Sequence, residues 1–223
     1  MKQFLKGDFY MRKHVAEPIK NKKDIQAVEQ YLKENNYRDY VIWVLGLNSG
    51  LRVSDIVGLN VSDVVDKTHI TIIEKKTQKR KSFYINDKLK QVLKKYTKDR
   101  NPSEPLFLGK QGKRLDRSQV YRFIKSACKA CGLKIQASTH TMRKTFGYHH
   151  YQKFKDAIIL QKIFNHSSQR ITLMYIGVDQ DEIDLSYKNF ELELLNVILQ
   201  HYVLHHSVLI WGKYFVLLSW LAF

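Results

Sequence analysis

Two β-rich runs interrupt a chain whose hydrophobic pattern is otherwise helical. The segments HITIIE (69–74) and RKSFYI (80–85) flank a polar, cationic stretch, a pattern typical of an antiparallel hairpin. Elsewhere apolar residues recur at helical spacing, as with Ile25, Val28 and Leu32. The pattern predicts an α+β fold that is mainly α-helical with a small antiparallel β-sheet.

Capping residues and helix breakers predict where the helices begin and end. An Asn-Ser-Gly sequence ends a buried helix, and Ser54 and Asp55 offer a cap for a short helix after it. Asn86 caps the next long helix, and Asp116 begins another that ends at Gly132. Further helices are predicted at 142–153, 157–164 and 170–176, and from residue 181 onward.

A strong positive charge narrows the class of partner. The 223 residues include 38 Lys and Arg against 21 Asp and Glu, which gives a net charge of +17 and a pI near 9.7. Such a balance predicts a polyanionic partner, and nucleic acid is the first candidate. A ribosomal or generally basic surface is the alternative, and the charge by itself does not separate the two.

The N-terminal residues and the two cysteines indicate in which cellular compartment the protein is expected. Residues 1–20 are basic and irregular, which indicates a lead-in or the remnant of a linker, and they lack the apolar stretch of a signal peptide. Cys128 and Cys131 form a single C-x-x-C without the second pair that completes a zinc site. Reduced structural thiols are therefore favoured over redox or metal roles, and a cytoplasmic protein is expected.

Residues 191–223 form a hydrophobic tail of uncertain role. Its longest apolar run, 208–223, is short for a membrane span and contains Lys213. Packing on the body or on a neighbouring protomer is favoured over a membrane anchor, so no membrane partner is expected. An extension that was never selected for this fold is the third alternative.

Five residues outside the hairpin have the chemistry of a phosphate-handling site: Arg52, His140, Arg143, His166 and Tyr175. Two arginines suit the charged oxygens of a phosphodiester, histidines exchange protons near neutral pH, and a tyrosine hydroxyl can attack phosphorus. His140 and Arg143 are three residues apart, so a helix places them on one face. Taken singly, each signal is also compatible with a solvated surface. We expect the two arginines and two histidines to converge on one basic surface, with Tyr175 free to lie farther away without DNA.

Four motifs in order resemble those of tyrosine recombinases, the phage integrase family. NSGLRVSDIVGL resembles TGLR-x-SE-L, and EKKTQKRKSFYI resembles the family's K-T-x-K-x-R hairpin. STHTMRKTF is similar to H-x-L-R-H-T-F, and FNHSSQRITLMYIGV is similar to LGHSS-xx-TT-x-Y. The resemblance covers residues from about 18 to 190 and implies that 21–190 is a catalytic domain of this fold. The chain departs from the family motifs at three positions, where Asn165 stands in place of Gly, Met142 in place of Leu and Ser49 in place of Thr.

The resemblance also implies a role for each matched residue. Arg52 and Arg143 would bind the phosphate, and Tyr175 would be the nucleophile. His140 would be the acid–base partner, and His166 a further phosphate ligand and proton handler. The remaining roles are protonation of the leaving 5′-oxygen by Lys76, support of the arginine by Asp55, and DNA contact by Lys75, Lys79, Arg80 and Lys81.

These roles imply a site-specific DNA recombinase that works through a covalent 3′-phosphotyrosyl intermediate, without metal, ATP or another cofactor. A type IB topoisomerase-like activity and a non-catalytic DNA-binding regulator on the same fold are the alternatives. The implied partners are double-stranded DNA, further copies of the chain in a tetrameric synapse, and accessory DNA-bending or directionality proteins. A prokaryotic or phage-encoded, nucleoid-associated protein is expected. Its layout fits either an excised catalytic domain or a small stand-alone recombinase.

Overall fold

The computed structural model describes residues 15–73 and 80–190. Two compact units divide after Asp179, and the second is described over residues 180–190. The elements of the described ranges, in chain order, are α1 (Lys22–Asn35), α2 (Tyr37–Ser49), α3 (Val53–Ile56), β1 (His69–Ile73), β2 (Arg80–Tyr84), α4 (Asp87–Tyr96), α5 (Arg117–Ala130), α6 (Thr141–Phe154), α7 (Ala157–Phe164), α8 (Gln169–Ile176) and α9 (Asp179–Asn189), with single 3₁₀ turns at Val61–Asp63 and Lys110–Gly112. The predicted mainly helical α+β class is confirmed.

The two strands form the hairpin that their β-rich sequences predict. They pair antiparallel, with Ile70 opposite Phe83 and Ile73 opposite Arg80. Ile70 is buried while its neighbours along β1 are exposed, as expected for a strand with one face on the core. The connection, 74–79, lies outside the described residues, so the predicted loop position of Lys76 stays a prediction.

Helix α2 is the centre of the larger core. It contacts α1, α4 and α6, and its residues from Tyr40 to Leu45 are all buried, as expected for a helix that is apolar on every side. A second, smaller cluster lies between α6, α7 and α8 and contains Leu160, Phe164 and Ile176. This second cluster supports the candidate site described below.

Most of the predicted helix ends are present, and one cap differs. Asn86 accepts a hydrogen bond from Leu89 N at 2.9 Å, and Asp116 accepts one from Ser118 N at 2.7 Å. The cap predicted at Ser54 and Asp55 is wrong, because both residues lie inside α3 and Arg52 occupies its N-cap position. Arg52 has an extended backbone and helical geometry begins at Val53, two residues earlier than a cap at Ser54 would indicate.

The two thiols match the prediction of reduced structural cysteines. Both Cys128 and Cys131 are free, and burial raises the pKa of the Cys128 thiol to about 11. Burial also raises the pKa of Cys131. Protonated thiols are poor nucleophiles and poor metal ligands. As for membrane spans, the described part of the chain contains no helix that is both long and apolar enough to cross a bilayer.

The last part of the predicted lead-in packs against the body. Ile19 is buried, its N–H donates to Thr145 Oγ1 at 2.9 Å, and its carbonyl oxygen lies 2.9 Å from His149 Nε2. Ala16 and Pro18 are also buried. The end of the predicted lead-in is therefore held to the body, because both backbone groups of Ile19 contact side chains of α6.

The packing of α6 on α7 and α8 predicts a severe response to one added methyl group. A Cβ at Gly147 would lie 2.6 Å from Ile176 Cγ2 and 2.7 Å from two ring atoms of Phe164. We expect Gly147→Ala to lower the free energy of unfolding by about 1–3 kcal/mol, because neither a helix-bound Ile nor a packed ring can yield easily. Urea denaturation measures this difference.

Gly46→Ala is the matched control on α2. Its Cβ would meet the Sδ atom of Met142 at 2.7 Å, and a flexible thioether can move aside. The loss should be clearly smaller than at Gly147. Equal losses in the two variants would contradict the predicted rigidity of the α6–α8 contact.

Candidate active site

Arg143 is the most constrained residue of the site. Only 2% of its surface is exposed, and its guanidinium donates to the carbonyl oxygen of Gly50 and, at 2.9 Å, to that of Phe164. The guanidinium carbon also lies 4.3 Å from the centroid of the Phe164 ring. The alternative of a solvated helix face is therefore wrong for Arg143. One side chain of α6 joins the turn after α2 to the end of α7.

Arg52 enters the same region from the start of α3. It follows the Gly50–Leu51 turn whose first carbonyl binds Arg143, so the two arginines approach from adjacent backbone. The positive charge of Arg52 lowers the pKa values of His140, His166 and Tyr175, which requires proximity to all three. The predicted convergence of the two arginines and the two histidines is thus present, and Tyr175 lies with them. Asp55 is buried one turn after Arg52, and its supporting role stays a prediction.

Asn165 sets the position of His166. It lies in the left-handed region at φ 53° and ψ 47°, where it ends α7, and this is the conformation that makes glycine common at such a position. Asn tolerates it better than most residues, so the departure from Gly keeps the backbone path. His166 N then donates to Gln161 O at 3.1 Å.

A short hydrogen-bond chain assigns the tautomer of His166. Its Nδ1 lies 3.1 Å from the hydroxyl oxygen of Thr172, and that hydroxyl donates to Ser168 O at 3.1 Å. Because a hydroxyl has one hydrogen, Thr172 accepts from His166 Nδ1–H. The neutral ring therefore has a free acceptor, Nε2, on its other side.

Tyr175 lies within the site even without DNA. Its hydroxyl group is 3.1 Å from His140 Nδ1, at the N-cap of α6. The edges and faces of three rings enclose the phenol, with centroid distances of 5.1 Å to His166, 5.6 Å to Phe164 and 6.3 Å to His140. Packing of α8 on α6 and α7 positions the hydroxyl at the histidine.

Burial and positive charge together set the protonation states. Burial lowers the pKa of His140, and the nearby cations Arg143, Lys144, Arg52 and Arg117 lower it further. Burial, Arg143 and Arg52 lower the pKa of His166 to about 4. For Tyr175, burial raises the pKa more than the arginines lower it. At neutral pH both histidines are neutral and the phenol is protonated, so His140 Nδ1 can accept the hydroxyl hydrogen.

The predicted DNA-contacting residues of the hairpin are only partly described. Lys75, Lys76 and Lys79 lie outside the described residues. Arg80 is exposed at the start of β2, whereas Lys81 donates to Ile163 O at 2.6 Å near the end of α7. Lys81 thus ties the hairpin to α7 in the free protein, and DNA contact by either residue stays a prediction.

Sequence reasoning missed two side chains of the site. Lys144 is buried with its Nζ atom 4.9 Å from the centroid of the Tyr175 ring, and Thr172 orients His166. A lysine is usually exposed, so its identity gave no signal beyond its position next to Arg143. Within the described ranges, His, Cys, Asp and Glu side chains form no group of three that could hold a metal ion.

Comparison with known proteins identifies the family. The family model of the phage integrase family matches residues 20–182, which is well over half of the chain. The chain belongs to the phage integrase family. A probable integrase/recombinase, YoeC of Bacillus subtilis (strain 168), is 47% identical over 178 residues, which is 79% of this chain and 98% of that protein.

Three further matches show how the family fold is shared. The tyrosine recombinase XerC of Thermodesulfovibrio yellowstonii is 31% identical over 152 residues, and the chain spans about half the length of this and similar XerC relatives. The crystal structure of XerA recombinase superposes with a TM-score of 0.66 at 19% identity, covering 81% of this chain and 66% of the other. The λ integrase dimer bound to a COC′ core site gives 0.60 at 18% identity, covering 73% and 48%. The two solved structures share the fold of this chain.

The low pKa of His166 leads to a measurable response to anions. The cations that lower this pKa are those that a phosphate group would neutralise, so binding of an anion should raise it from about 4 towards the ordinary value of 6.5. Titration of the ring by NMR in the absence and presence of inorganic phosphate checks this expectation. His69, which is exposed on β1, serves as the internal control. If phosphate leaves the pKa of His166 unchanged, the proposed binding of an anion between His166 and the two arginines is wrong.

Proposed function

We propose that the chain is an integrase-type site-specific DNA recombinase that breaks and rejoins strands through a 3′-phosphotyrosyl intermediate on Tyr175. The observation that carries this proposal is the 3.1 Å contact between the Tyr175 hydroxyl and a neutral His140, beside two arginines. A nucleophile, a proton acceptor and a phosphate clamp are thus close together. Such a set suits transfer of a phosphodiester from one oxygen to another.

The cleavage step follows from these contacts. The Tyr175 oxygen forms a bond to phosphorus while the bond from phosphorus to the 5′-oxygen breaks, and the phenol proton passes to His140 Nδ1. The leaving 5′-oxygen takes a proton, for which Lys76 is the proposed donor. Attack by the 5′-hydroxyl of another strand reverses each transfer and releases the tyrosine. The phosphodiester count is unchanged, so no external energy source enters the balance.

Preorganised charge is the second contribution. Arg143 is fixed by two carbonyl oxygens and by the Phe164 ring, so little reorganisation is needed when charge develops on the phosphate oxygens. Arg52 adds a second positive charge from α3. Neutral His166 presents an acceptor Nε2 in the free protein and becomes a donor once a bound phosphate raises its pKa.

Duplex DNA and further copies of the chain are the proposed partners. The net charge of +17 favours a long polyanion. Structures that share this fold include XerH bound to its difH substrate and a λ integrase tetramer bound to a Holliday junction. Large apolar side chains of α6, α7 and α8 are about half exposed, which supports contact with another protein surface; they are Phe154, Ile158, Ile159, Ile171 and Met174.

Residues 21–190 are proposed as the catalytic domain, and the integrity of the site argues against a non-catalytic regulator. A regulator would not need a tyrosine hydroxyl seated on a neutral histidine between two arginines. The packing of 15–20 on α6 adds the end of the predicted lead-in to this body. The role of 191–223, which lies outside the described residues, stays a prediction.

Loss of the nucleophile is the direct test. A pool of duplexes with a randomised segment and a single nick traps any covalent adduct, because the short strand beyond the cleavage point diffuses away. We expect the wild-type chain to retain DNA under denaturing conditions and Tyr175→Phe to retain none, with DNA affinity almost unchanged, since only the attacking oxygen is removed. Sequencing the retained DNA defines the target.

Tyr187→Phe is the matched control, because Tyr187 is the next tyrosine along the chain and is exposed on α9. This variant should form the adduct at the wild-type rate. An adduct that persists in Tyr175→Phe and disappears in Tyr187→Phe would move the nucleophile to α9. No adduct with the wild-type chain on any nicked duplex would contradict recombinase chemistry.

The proposed role of Lys76 is tested from the leaving-group side. Lys76→Ala should slow cleavage by about 10²–10⁴-fold, as expected for loss of a general acid. A substrate with a 5′-bridging sulfur needs no proton on the leaving group, so it should restore most of the rate. EDTA should leave both reactions unchanged. Equal defects on the oxygen and sulfur substrates would exclude Lys76 as the acid.

A further inference from the structure

A third buried cation lies beside the nucleophile. Lys144 is 6% exposed. Its Nζ atom lies 4.9 Å from the centroid of the Tyr175 ring. Burial of a lysine side chain beside other cations is costly, so a chain that keeps one at this place has a use for the charge.

The charges around the neighbouring His140–Tyr175 pair are positive. Those acting on His140 belong to Arg143, Lys144, Arg52 and Arg117, and those acting on Tyr175 belong to Arg143 and Arg52. The charge acting on Lys144 itself is that of Glu17 in the N-terminal segment. Glu17 is the one acid in this set, and it is exposed. Burial lowers the pKa of Lys144 more than Glu17 raises it. The ammonium therefore faces no strong counter-charge until an anion forms in the site.

Tyr175 is where such an anion forms during cleavage. As the phenol gives its proton to His140 and attacks phosphorus, negative charge develops on its oxygen, and a cation beside the ring favours that state. We propose that Lys144 is a positioning residue for the nucleophile, holding the Tyr175 ring and stabilising the developing phenolate. This inference rests on the proposed function, and it assigns Lys144 to the attacking tyrosine, whereas Lys76 is assigned to the leaving group.

Three variants separate charge from packing. Lys144→Met keeps an unbranched stem and removes the charge, whereas Lys144→Arg keeps the charge. Lys153→Met is the matched control, because Lys153 is exposed on the same helix and its Nζ atom lies 5.1 Å from the Phe154 ring centroid. The Met substitutions change the net charge equally, so a general loss of DNA attraction would affect both. Lys144→Met should also remain folded, since it removes a buried charge.

The first measurement is the single-turnover rate of adduct formation between pH 6 and pH 9 on DNA retained by the wild-type chain. We expect Lys144→Met to be slowed about 10- to 100-fold near pH 7, with its rate–pH curve displaced to higher pH, because loss of a cation beside the ring disfavours ionisation of the phenol. Lys144→Arg should recover most of the rate, and Lys153→Met should match the wild type. A 5′-bridging sulfur should not rescue Lys144→Met.

Several results would overturn the inference. An unchanged rate, a slower rate without displacement of the pH curve, or rescue by the sulfur substrate would each do so. The last of these would assign Lys144 to the leaving group. If Lys144→Met fails to fold, the rate–pH curve is measured for Lys144→Gln instead. Full activity of that neutral variant would contradict the proposal.

The second measurement needs no DNA and separates this inference from the proposed function. With ¹³Cζ-labelled tyrosine, the Tyr175 resonance is identified by its absence in Tyr175→Phe. Its titration midpoint should rise by about one pH unit in Lys144→Met and stay unchanged in Lys153→Met. Equal midpoints in the wild type and Lys144→Met would overturn the role of Lys144 even where DNA cleavage is observed. Failure of the wild type to cleave DNA would contradict the proposed function. The titration of Tyr175 would still show whether Lys144 stabilises the phenolate.

Discussion

The site depends on one buried guanidinium. Arg143 projects from α6 and binds carbonyl oxygens of the turn after α2 and of the last residue of α7, so three separate parts of the chain meet at one charged group. A buried charge is tolerated here because each contact is a charge-assisted hydrogen bond and an aromatic ring covers one face. The same contacts fix the orientation of the guanidinium for its proposed role in binding phosphate. Structural support and catalytic function are therefore difficult to separate at this residue.

The field of the buried cations also determines the chemistry of the neighbouring rings. His140 and His166 both have lowered pKa values, and the arginines contribute to each. A histidine that is neutral at working pH can accept a proton from a phenol, which an imidazolium cannot. The arginines thus have two effects, one on the phosphate and one on the base. Binding of the phosphate then weakens the second effect, so proton transfer and substrate binding are linked.

Local features were predictable from sequence, and features that depend on tertiary contacts were not. The hairpin and the caps at Asn86 and Asp116 follow from residue types within a few positions of each other, and all are present. The site residues could be found because five chemically suited side chains stand in motifs with an ordered spacing. Burial of Lys144 and the docking of Ile19 depend on which surfaces meet in the folded chain. The misplaced cap in α3 has the same origin, because Asp55 turns into the core although it is polar.

The segment before α1 gives the site a mechanical connection to the upstream chain. Both backbone groups of Ile19 pair with side chains of α6, at Thr145 and His149, and Thr145 follows the Arg143–Lys144 pair directly. The path of the chain at Ile19 and the position of α6 therefore depend on each other, because both contacts are short and directional.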